Sequence, residues 1–435
     1  MALATNACER DEFRTPCSPE QLQIVQICND PARDSEAFYL DMPSWSADSS
    51  RLLFFRGASD DGVQAPGCWL CEVQEDFAIR PACEYRDGYG NMEYGAQHDG
   101  HSFGCVLSPD GQNLYQLAYR AGQVEVVQID LNTMAQTTVC ATPAPLRARG
   151  SLSISADGER IAFGVFLGDG IVEGAPWGAI IFNVRTGHAH AIEFGNGYRN
   201  MHCQYSRNPV APHVHDLCLN ANLPRLSDGS WLTPPDGSWR WQDVPPDADE
   251  LGSALHVVRD DGANWRVVPI GRDRQMLSGG HCNWRGQGSS IVASVYHYPP
   301  GRWRAPLIEA YPLPVTEEAQ LWMGIHAPGA APIDLTRHVA RADACHFGFD
   351  ESGRHFVSDS DGYATAAYSF MYTGTYVEPD GEPPYVTARY LLLPRTSWKT
   401  QPAHPHPFFS PDGNYVVFQS DFTGRPQVYI AMGYF

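Results

Sequence analysis

Basic side chains are scarce in this chain. Lysine and arginine together number 30, against 50 aspartate and glutamate residues, so the formal net charge is −20. Binding to a nucleic-acid backbone requires concentrated positive charge, and nucleic acid is therefore not an expected partner. A polymeric polyanion would be repelled at long range, although a small anion could still bind at a local positive site.

Long apolar runs are missing as well. No stretch of about 18 apolar residues predicts a membrane span. The opening MALATNACERDEF has no basic segment followed by an apolar one, so no signal peptide is predicted. We therefore expect a cytoplasmic protein without a membrane partner. The 12 cysteines are scattered, which favours free thiols in a reducing compartment. The single CxxC pair, Cys68 and Cys71, has no second pair or nearby histidine, so it does not favour a zinc site.

Extended helical periodicity is also absent, and turn-forming residues are abundant instead. The 435 residues include 40 glycines and 34 prolines, aromatic residues reach 11%, and the hydrophobic fraction of 43% is enough for a sizeable core. This composition is typical of an all-β protein with many tight turns.

One turn motif recurs along the chain. Ser-Pro-Asp-Gly favours a type I turn closed by a left-handed glycine, and in each copy a short apolar run precedes the turn and an alternating apolar strand follows it. The spacing of roughly 50 to 75 residues is typical of four-stranded propeller blades. The seven copies begin at Ser44, Leu107, Ile154, Tyr205, Asn283, Gly348 and Phe409.

These repeats predict a single seven-bladed β-propeller domain over residues 1–435, with no separate catalytic domain. The early segment Leu22–Cys28, within an N-terminal stretch of about 30 residues, is expected to complete the last blade and close the ring. Two inserts rich in Pro, Gly and Asp, at about 222–252 and 360–385, are predicted to be loops.

Histidines occupy one repeat position in four successive blades. Counting seven residues back from the turn glycine or its equivalent gives His202, His281, His346 and His406, and Met42, Gly104 and Ser151 in the first three blades. This position lies near the start of the strand that lines the central channel. The four imidazoles are therefore expected to converge at one mouth of the channel.

A purely structural interpretation competes with this one. Propeller repeats reuse a residue at one position for packing, and a histidine there can bridge blades through hydrogen bonds. Cysteines at the next position, Cys105, Cys203 and Cys282, have the pattern of core lining. The set of four histidines nevertheless favours a functional cluster.

His404 adds a second imidazole beside His406. Residues two apart in a strand point to the same face, and Pro405 and Pro407 disfavour helix, so the two rings can form a chelating pair. Gln401 lies three residues earlier and could supply an amide oxygen. Neutral imidazoles and an amide would leave a bound dication its full charge, which attracts an anionic ligand.

The combined pattern resembles the oligogalacturonate lyases, also called oligogalacturonide lyases, over essentially the whole chain. The specific resemblance is carried by QPAHPH, ACHFGFDESGRHFVSD, GGHCNWRGQGSSIVASVY and MHCQYSRNP. It implies one manganese-type site with ligands His346, Gln401, His404 and His406, and it implies His281 as the catalytic base.

The resemblance also implies an arginine near the fourth blade, for which Arg225 and Arg199 are candidates. The family usually follows its fourth-blade histidine motif with a His-Glu-Gly-Pro-like stretch, where this chain reads LCLNANLPRLSDGS. That departure leaves the exact uronide and the position of the arginine open.

The implied reaction is β-elimination on short 4-linked galacturonides. The proton on C5 is acidified by the adjacent carboxylate, whose developing charge a metal or arginine can neutralise. A histidine near neutrality then removes the proton, and the C4 oxygen leaves to give a 4,5-unsaturated product. His202 could position substrate or assist the leaving group, and Tyr198, Arg199 and Arg149 are candidate substrate-binding residues, although ordinary surface positions explain those three equally well.

Three other functions compete with this interpretation. A related propeller lyase could act on a different uronic acid, and a non-enzymatic TolB-like binding propeller would carry the same turns without needing converging histidines. The propeller half of a serine peptidase is not favoured, because no G-x-S-x-G motif is present.

Overall fold

The computed structural model describes residues 7–85, 104–120, 123–143, 147–167, 176–195, 202–221, 225–226, 248–250, 253–271, 277–296, 319–325, 330–339, 344–360 and 369–435. Strands dominate these ranges, and short 3-10 turns cover Asp11–Phe13, His213–His215 and Gln401–Ala403. The predicted all-β class is confirmed.

The recurring hairpin shows why the repeat forms strands. In the last copy, Ser410 Oγ donates a hydrogen bond to Asp412 Oδ1 at 2.6 Å, and that carboxylate accepts the backbone N–H of Asn414 at 3.1 Å. Gly413 takes φ 73°, a conformation that a residue with a Cβ adopts at a cost. The turn thus satisfies its own polar groups and forces the chain to reverse.

The hairpins build seven antiparallel sheets, which are the blades of a β-propeller. Blade 1 contains β3 (Ser35–Ala37), β4 (Arg51–Arg56), β5 (Gly67–Glu72) and β6 (Ala78–Glu84). Blade 2 contains β7 (Cys105–Leu107), β8 (Asn113–Arg120), β9 (Gln123–Asp130) and β10 (Gln136–Pro143). Blade 3 contains β11 (Arg147–Ile154), β12 (Arg160–Phe166), β13 (Trp177–Asn183) and β14 (His188–Gly195).

The remaining blades follow the same order, with additions at three places. Blade 4 contains β15 (Gln204–Tyr205), β16 (Asp216–Ala221), β19 (Ala254–Arg259) and β20 (Arg266–Gly271), and a separate two-stranded ribbon pairs β17 (Arg225–Leu226) with β18 (Ala248–Glu250). Blade 5 contains β21 (Leu277–Trp284), β22 (Ser290–Tyr296), β23 (Ala319–Ile325) and β24 (Ile333–Asp334). Blade 6 contains β25 (Ala344–Phe349), β26 (His355–Ser360), β27 (Met371–Val377), β28 (Tyr385–Val386) and β29 (Arg389–Leu392). Blade 7 contains β30 (Phe408–Phe409), β31 (Val416–Ser420), β32 (Gln427–Met432), β2 (Gln23–Gln26) and β1 (Cys8–Glu9).

The first strands of successive blades contact one another around the ring. Strand β11 lies between β7 and β15, and β25 lies between β21 and β30. Strand β3 of blade 1 contacts β31 and β32 of blade 7, which joins the two ends of the ring. This arrangement brings side chains at equivalent repeat positions toward a common axis, as the seven-bladed prediction requires.

Residues from the start of the chain complete blade 7. Strand β2 pairs with β32 in antiparallel register, with Val25 opposite Ile430. Phe13 packs behind this closure, fully buried, with its ring 4.8 Å from that of Tyr429 and 5.6 Å from that of Phe418. Noncovalent pairing between the N-terminal segment and the last repeat therefore closes the ring.

The prediction that both inserts are plain loops was wrong in part. Residues 371–377 form β27, a full strand of blade 6, and residues 225–226 and 248–250 form the ribbon of blade 4. Proline and glycine at the flanks of these segments hid short strands whose partners lie elsewhere in the chain. In the part of the chain that the structure describes, no helix has the length and apolar character needed to cross a membrane.

Candidate metal centre and active site

The repeat position seven residues before the turn glycine interrupts the regular strand in six of the blades. Blades 2, 4 and 7 place a residue with positive φ there, and blades 3, 5 and 6 place a shift of the strand register across it. Irregularities of this kind re-aim side chains and concentrate beside functional sites. The residues with positive φ are Gly104, His202 and His406, and the register shifts span Ser151, His281 and His346.

His346 is the most enclosed of the four predicted histidines. It is 0% exposed, and Asp359 of β26 accepts two hydrogen bonds from it, one from the backbone N–H at 2.7 Å and one from Nδ1 at 2.9 Å. A carboxylate at Nδ1 fixes the proton there and leaves the lone pair of Nε2 available to a metal. Asp359 therefore fixes the orientation of the His346 ring.

His404 and His406 reach the same place by an unexpected backbone path. Neither lies in a strand: the 3-10 turn Gln401–Ala403 ends at His404, and His406 takes φ 44° before β30 begins. The strand alternation expected for this pair was wrong, but the two ring centroids lie 5.4 Å apart. They lie 5.7 and 4.3 Å from the ring of His346.

The three imidazoles have the spacing of a metal centre. One ring nitrogen from each of His346, His404 and His406 lies within 4.8 Å of the others, and all three residues are buried. The side-chain oxygen of Gln401 is also buried and has no hydrogen-bond partner among the described residues. An orphaned amide oxygen three residues before His404 fits a bound divalent cation, because an unmet buried acceptor is otherwise costly.

Three further side chains fix the rings in place. The side-chain amide of Gln419 in β31 lies 2.9 Å from the backbone nitrogen of Ala37 and 2.9 Å from Nδ1 of His406. Trp398 stacks on His346 with the ring centroids 5.8 Å apart, and it lies 4.7 Å from His404. Tyr39 closes the other side, with its ring 4.8 Å from that of His406.

His281 lies beside this centre and is more accessible. Its ring centroid is 4.5 Å from that of His346, and it is partly exposed where the three clustered histidines are buried. The thiol of Cys345 lies between them, 3.8 Å from Nδ1 of His281 and 3.9 Å from Nε2 of His346. Nδ1 of His281 is therefore turned to the thiol.

His202 approaches from blade 4 and is held by a carboxylate from blade 1. Its Nδ1 lies 2.7 Å from Oδ2 of Asp41, which is buried, and its ring lies 5.5 Å from that of Tyr39. Asp41 and Tyr39 belong to a buried segment between β3 and β4 that contacts histidines of blades 4, 6 and 7. Tyr39 contacts His202 on one side and His346 and His406 on the other, so the four register histidines surround one region.

The predicted substrate-binding residues are less well placed by the structure. Tyr198 and Arg199 lie outside the described residues. Arg149 belongs to β11, and Arg225 begins β17 and pairs with Glu250, but their side chains are outside the described part of the chain. The candidate arginine of blade 4 therefore stays a prediction.

Sequence reasoning missed the residues that hold the histidines. Asp359 and Gln419 both lie six residues after the turn glycine of their hairpins, Gly353 and Gly413. Ser294 lies at six after Gly288 in blade 5 and donates to the carbonyl of Cys345 at 2.8 Å. A second polar register on the second strand thus accompanies the histidine register on the first. Counting forward from the turn would have found it.

Comparison with known proteins agrees with this architecture. No family model matches the chain. The oligogalacturonate lyase of Dickeya dadantii (strain 3937) is 23% identical over 414 residues, covering 90% of this chain and 89% of that protein. The crystal structure of the oligogalacturonate lyase of Vibrio parahaemolyticus has a TM-score of 0.64 at 16% identity, covering 98% of this chain and 96% of that one. An oligogalacturonate lyase in complex with manganese has a TM-score of 0.63 at 18% identity, covering 99% and 98%.

The two solved structures share the fold, and the similarity in sequence extends along nearly the full length of both chains. By fold and by sequence, the chain is similar to the oligogalacturonate lyases, as its motifs predict.

Proposed function

We propose that this protein is a metal-dependent oligogalacturonate lyase that cleaves short 4-linked galacturonides by β-elimination and releases 4,5-unsaturated products. The observation that carries the proposal is the convergence of His346, His404 and His406 within 4.8 Å, with the partly exposed His281 alongside. Support also comes from the lyases that the chain resembles.

His346, His404, His406 and Gln401 would hold one divalent cation, which we take to be Mn²⁺. Three neutral imidazoles and an amide oxygen leave such an ion its full double charge, which stabilises the negative charge that develops on the substrate carboxylate when C5 loses its proton. A cation of this kind also explains how a chain of net charge −20 can bind an anionic sugar.

His281 is placed to act as the base. Its ring lies 4.5 Å from that of His346 and is partly exposed, so a uronide held at the cation would place its C5 proton near this imidazole. Proton removal by a positioned histidine typically contributes 10² to 10⁴-fold in rate, about 3 to 5 kcal/mol. The pair of electrons from the C5–H bond forms the C4–C5 double bond as the C4 oxygen leaves.

His202 is proposed to position the substrate or to assist the departing oxygen. Asp41 holds Nδ1 of His202 at 2.7 Å, which keeps the proton on Nδ1 of the neutral ring or stabilises the charged ring. Arg225, Arg199, Arg149 and Tyr198 stay candidates for contacts with the sugar carboxylates and hydroxyls.

The test is incubation of the purified protein with digalacturonate, with and without added Mn²⁺, followed by the ultraviolet absorbance of the unsaturated product. His281→Ala should lose turnover and retain the metal, whereas His404→Ala should lose both. His338→Ala is the matched control, because His338 is an exposed histidine outside the cluster. Full activity of the chelator-treated protein would overturn the metal assignment.

A different uronide is the second candidate substrate. The stretch LCLNANLPRLSDGS replaces a histidine-containing motif that the family usually carries in blade 4. Residues there would contact the sugar rather than the metal, so a change alters the substrate and leaves the metal centre in place. Comparison of the product masses from digalacturonate and from other uronic acid disaccharides separates the two candidates.

A further inference from the structure

Three buried thiols meet between blades 1 and 2. Cys68 of β5 and Cys83 of β6 face each other as cross-strand partners, and Cys105 comes from β7, the first strand of the next blade. The three Sγ atoms lie within 4.8 Å of one another, and those of Cys83 and Cys105 are 3.8 Å apart. Their exposures are 0, 8 and 1%.

The spacing matches that of ligands around one ion. A metal with sulfur bonds of about 2.3 Å in tetrahedral geometry places its sulfur atoms about 3.8 Å apart. A disulfide requires about 2.05 Å, so the Cys83 and Cys105 sulfurs are too far apart to be bonded to each other.

An oxygen donor completes the group. The hydroxyl of Tyr85 lies 3.2 Å from Sγ of Cys68 and 3.6 Å from Sγ of Cys105. Among the described residues, no histidine or carboxylate joins the three thiols in this group. A donor set of three sulfurs and one phenol oxygen is dominated by soft ligands, which favours thiophilic cations with a filled d shell over Mn²⁺.

The alternative is that these cysteines act only as small apolar side chains. Buried cysteines often do so, and Cys71 of the same strand β5 is an example. Cys68 and Cys71 are three residues apart in a strand and point to opposite faces, so the CxxC pair noted in the sequence is not a ligand pair. Packing alone does not require three thiols from three strands and a phenol to share one point.

We propose that Cys68, Cys83 and Cys105 form a structural site for a thiophilic d¹⁰ cation, Zn²⁺ or Cu⁺, that joins blade 1 to blade 2. The ion would neutralise thiolates in an apolar core, where uncompensated charge is prohibitive. Because the ligands are buried, the ion enters while the chain folds, and its binding contributes to the stability of the folded state. The site is independent of the proposed lyase chemistry.

The experiment is unfolding and refolding of the full chain under reducing, oxygen-free conditions with Zn²⁺, Cu⁺ or the spectroscopic probe Cd²⁺. The background is His404→Ala with Cys345→Ser, so that neither the histidine cluster nor the His281–Cys345–His346 group competes through a thiol. We expect one tightly held ion per chain and a sulfur-to-Cd²⁺ charge-transfer band. X-ray absorption should find sulfur neighbours at about 2.3 Å for Zn²⁺ rather than nitrogen or oxygen neighbours at about 2.0 Å. The Zn²⁺ and Cu⁺ arms show which ion is held more tightly.

Variants assign the ligands. Cys83→Ser and Cys105→Ser should each bind at least tenfold less metal, and Cys71→Ser, a buried cysteine of the same sheet, should bind as much as the parent. Refolded parent without bound d¹⁰ metal would overturn the proposal, as would an absorption spectrum without sulfur neighbours. Equal loss in Cys71→Ser would also overturn it. The absorption measurement needs no cysteine variant, so it stands even where a variant fails to fold.

Discussion

Replacement of Asp359 by asparagine changes one buried atom beside His346 and should weaken metal binding. In the parent, Oδ1 accepts the backbone N–H of His346 at 2.7 Å and Oδ2 lies 2.9 Å from its Nδ1. Asparagine has one side-chain oxygen, which would accept the backbone N–H of His346 as Oδ1 of Asp359 does. The NH₂ group then faces Nδ1, which must become an acceptor, so the proton of the neutral ring moves to Nε2. That nitrogen is the one proposed to hold the metal.

The size of the effect follows from the role of such partners. Loss of an outer partner of a metal-bound histidine typically weakens binding 10- to 100-fold, which is about 1.4 to 2.7 kcal/mol. Asp359 is 0% exposed and makes both contacts to one residue, so no water can replace it easily. We therefore expect a loss near the upper end, about 100-fold.

The assay is Mn²⁺ titration of the refolded, chelator-treated protein by calorimetry or by the magnetic resonance signal of free Mn²⁺. Asp350→Asn is the matched control: Asp350 is also buried and faces Nδ1 of His355 at 3.3 Å, in the same blade but outside the cluster. The control should bind Mn²⁺ as the parent does. Unchanged affinity in folded Asp359→Asn would refute the tautomer argument, and equal loss in the control would attribute the effect to general disruption of blade 6.

Three further predictions follow from other parts of the molecule. Burial, with a smaller contribution from the charge of a neighbouring aspartate, raises the pKa of Glu36 to about 7 from 4.5. The folded state therefore keeps a proton that the unfolded state releases, and the free energy of unfolding falls as pH rises from about 4.5 to about 7. Glu36→Gln should raise the free energy of unfolding by about 3 kcal/mol at about pH 8 and leave it unchanged below about pH 4. Denaturant unfolding at both pH values measures this difference. Phe13→Ala should lower the free energy of unfolding by about 3 to 5 kcal/mol in the same assay, because the ring is fully buried where the N-terminal strand closes the propeller. A decrease below about 1 kcal/mol would contradict that role. Asp41→Asn should lower kcat for digalacturonate about 100-fold through His202 while Mn²⁺ affinity stays constant; an unchanged kcat would remove His202 from the reaction.

Local sequence was enough to predict the blades. Each of the three Ser-x-Asp-Gly hairpins satisfies its own hydrogen bonds within about six residues, so the turn forms wherever its residues occur. Together with the related turns of the other four blades, they give seven turns at blade spacing and predict one propeller. The histidine register was visible for the same reason, since it is a fixed distance from the turn in each copy. The inserts were harder, because β27 and the blade 4 ribbon depend on partners distant in sequence.

Only the tertiary structure decided how the histidines are held and where the thiols meet. The alternation rule failed at His404 and His406, because a 3-10 turn and a left-handed residue replace the expected strand there. Asp41 reaches His202 over 161 positions in the chain, and no local pattern carries that information. Sequence by itself determined the repeat and therefore which residues share a position around the axis. The contacts of these residues depend on packing between blades, which brings together side chains from segments that are distant in the sequence and share no repeat position.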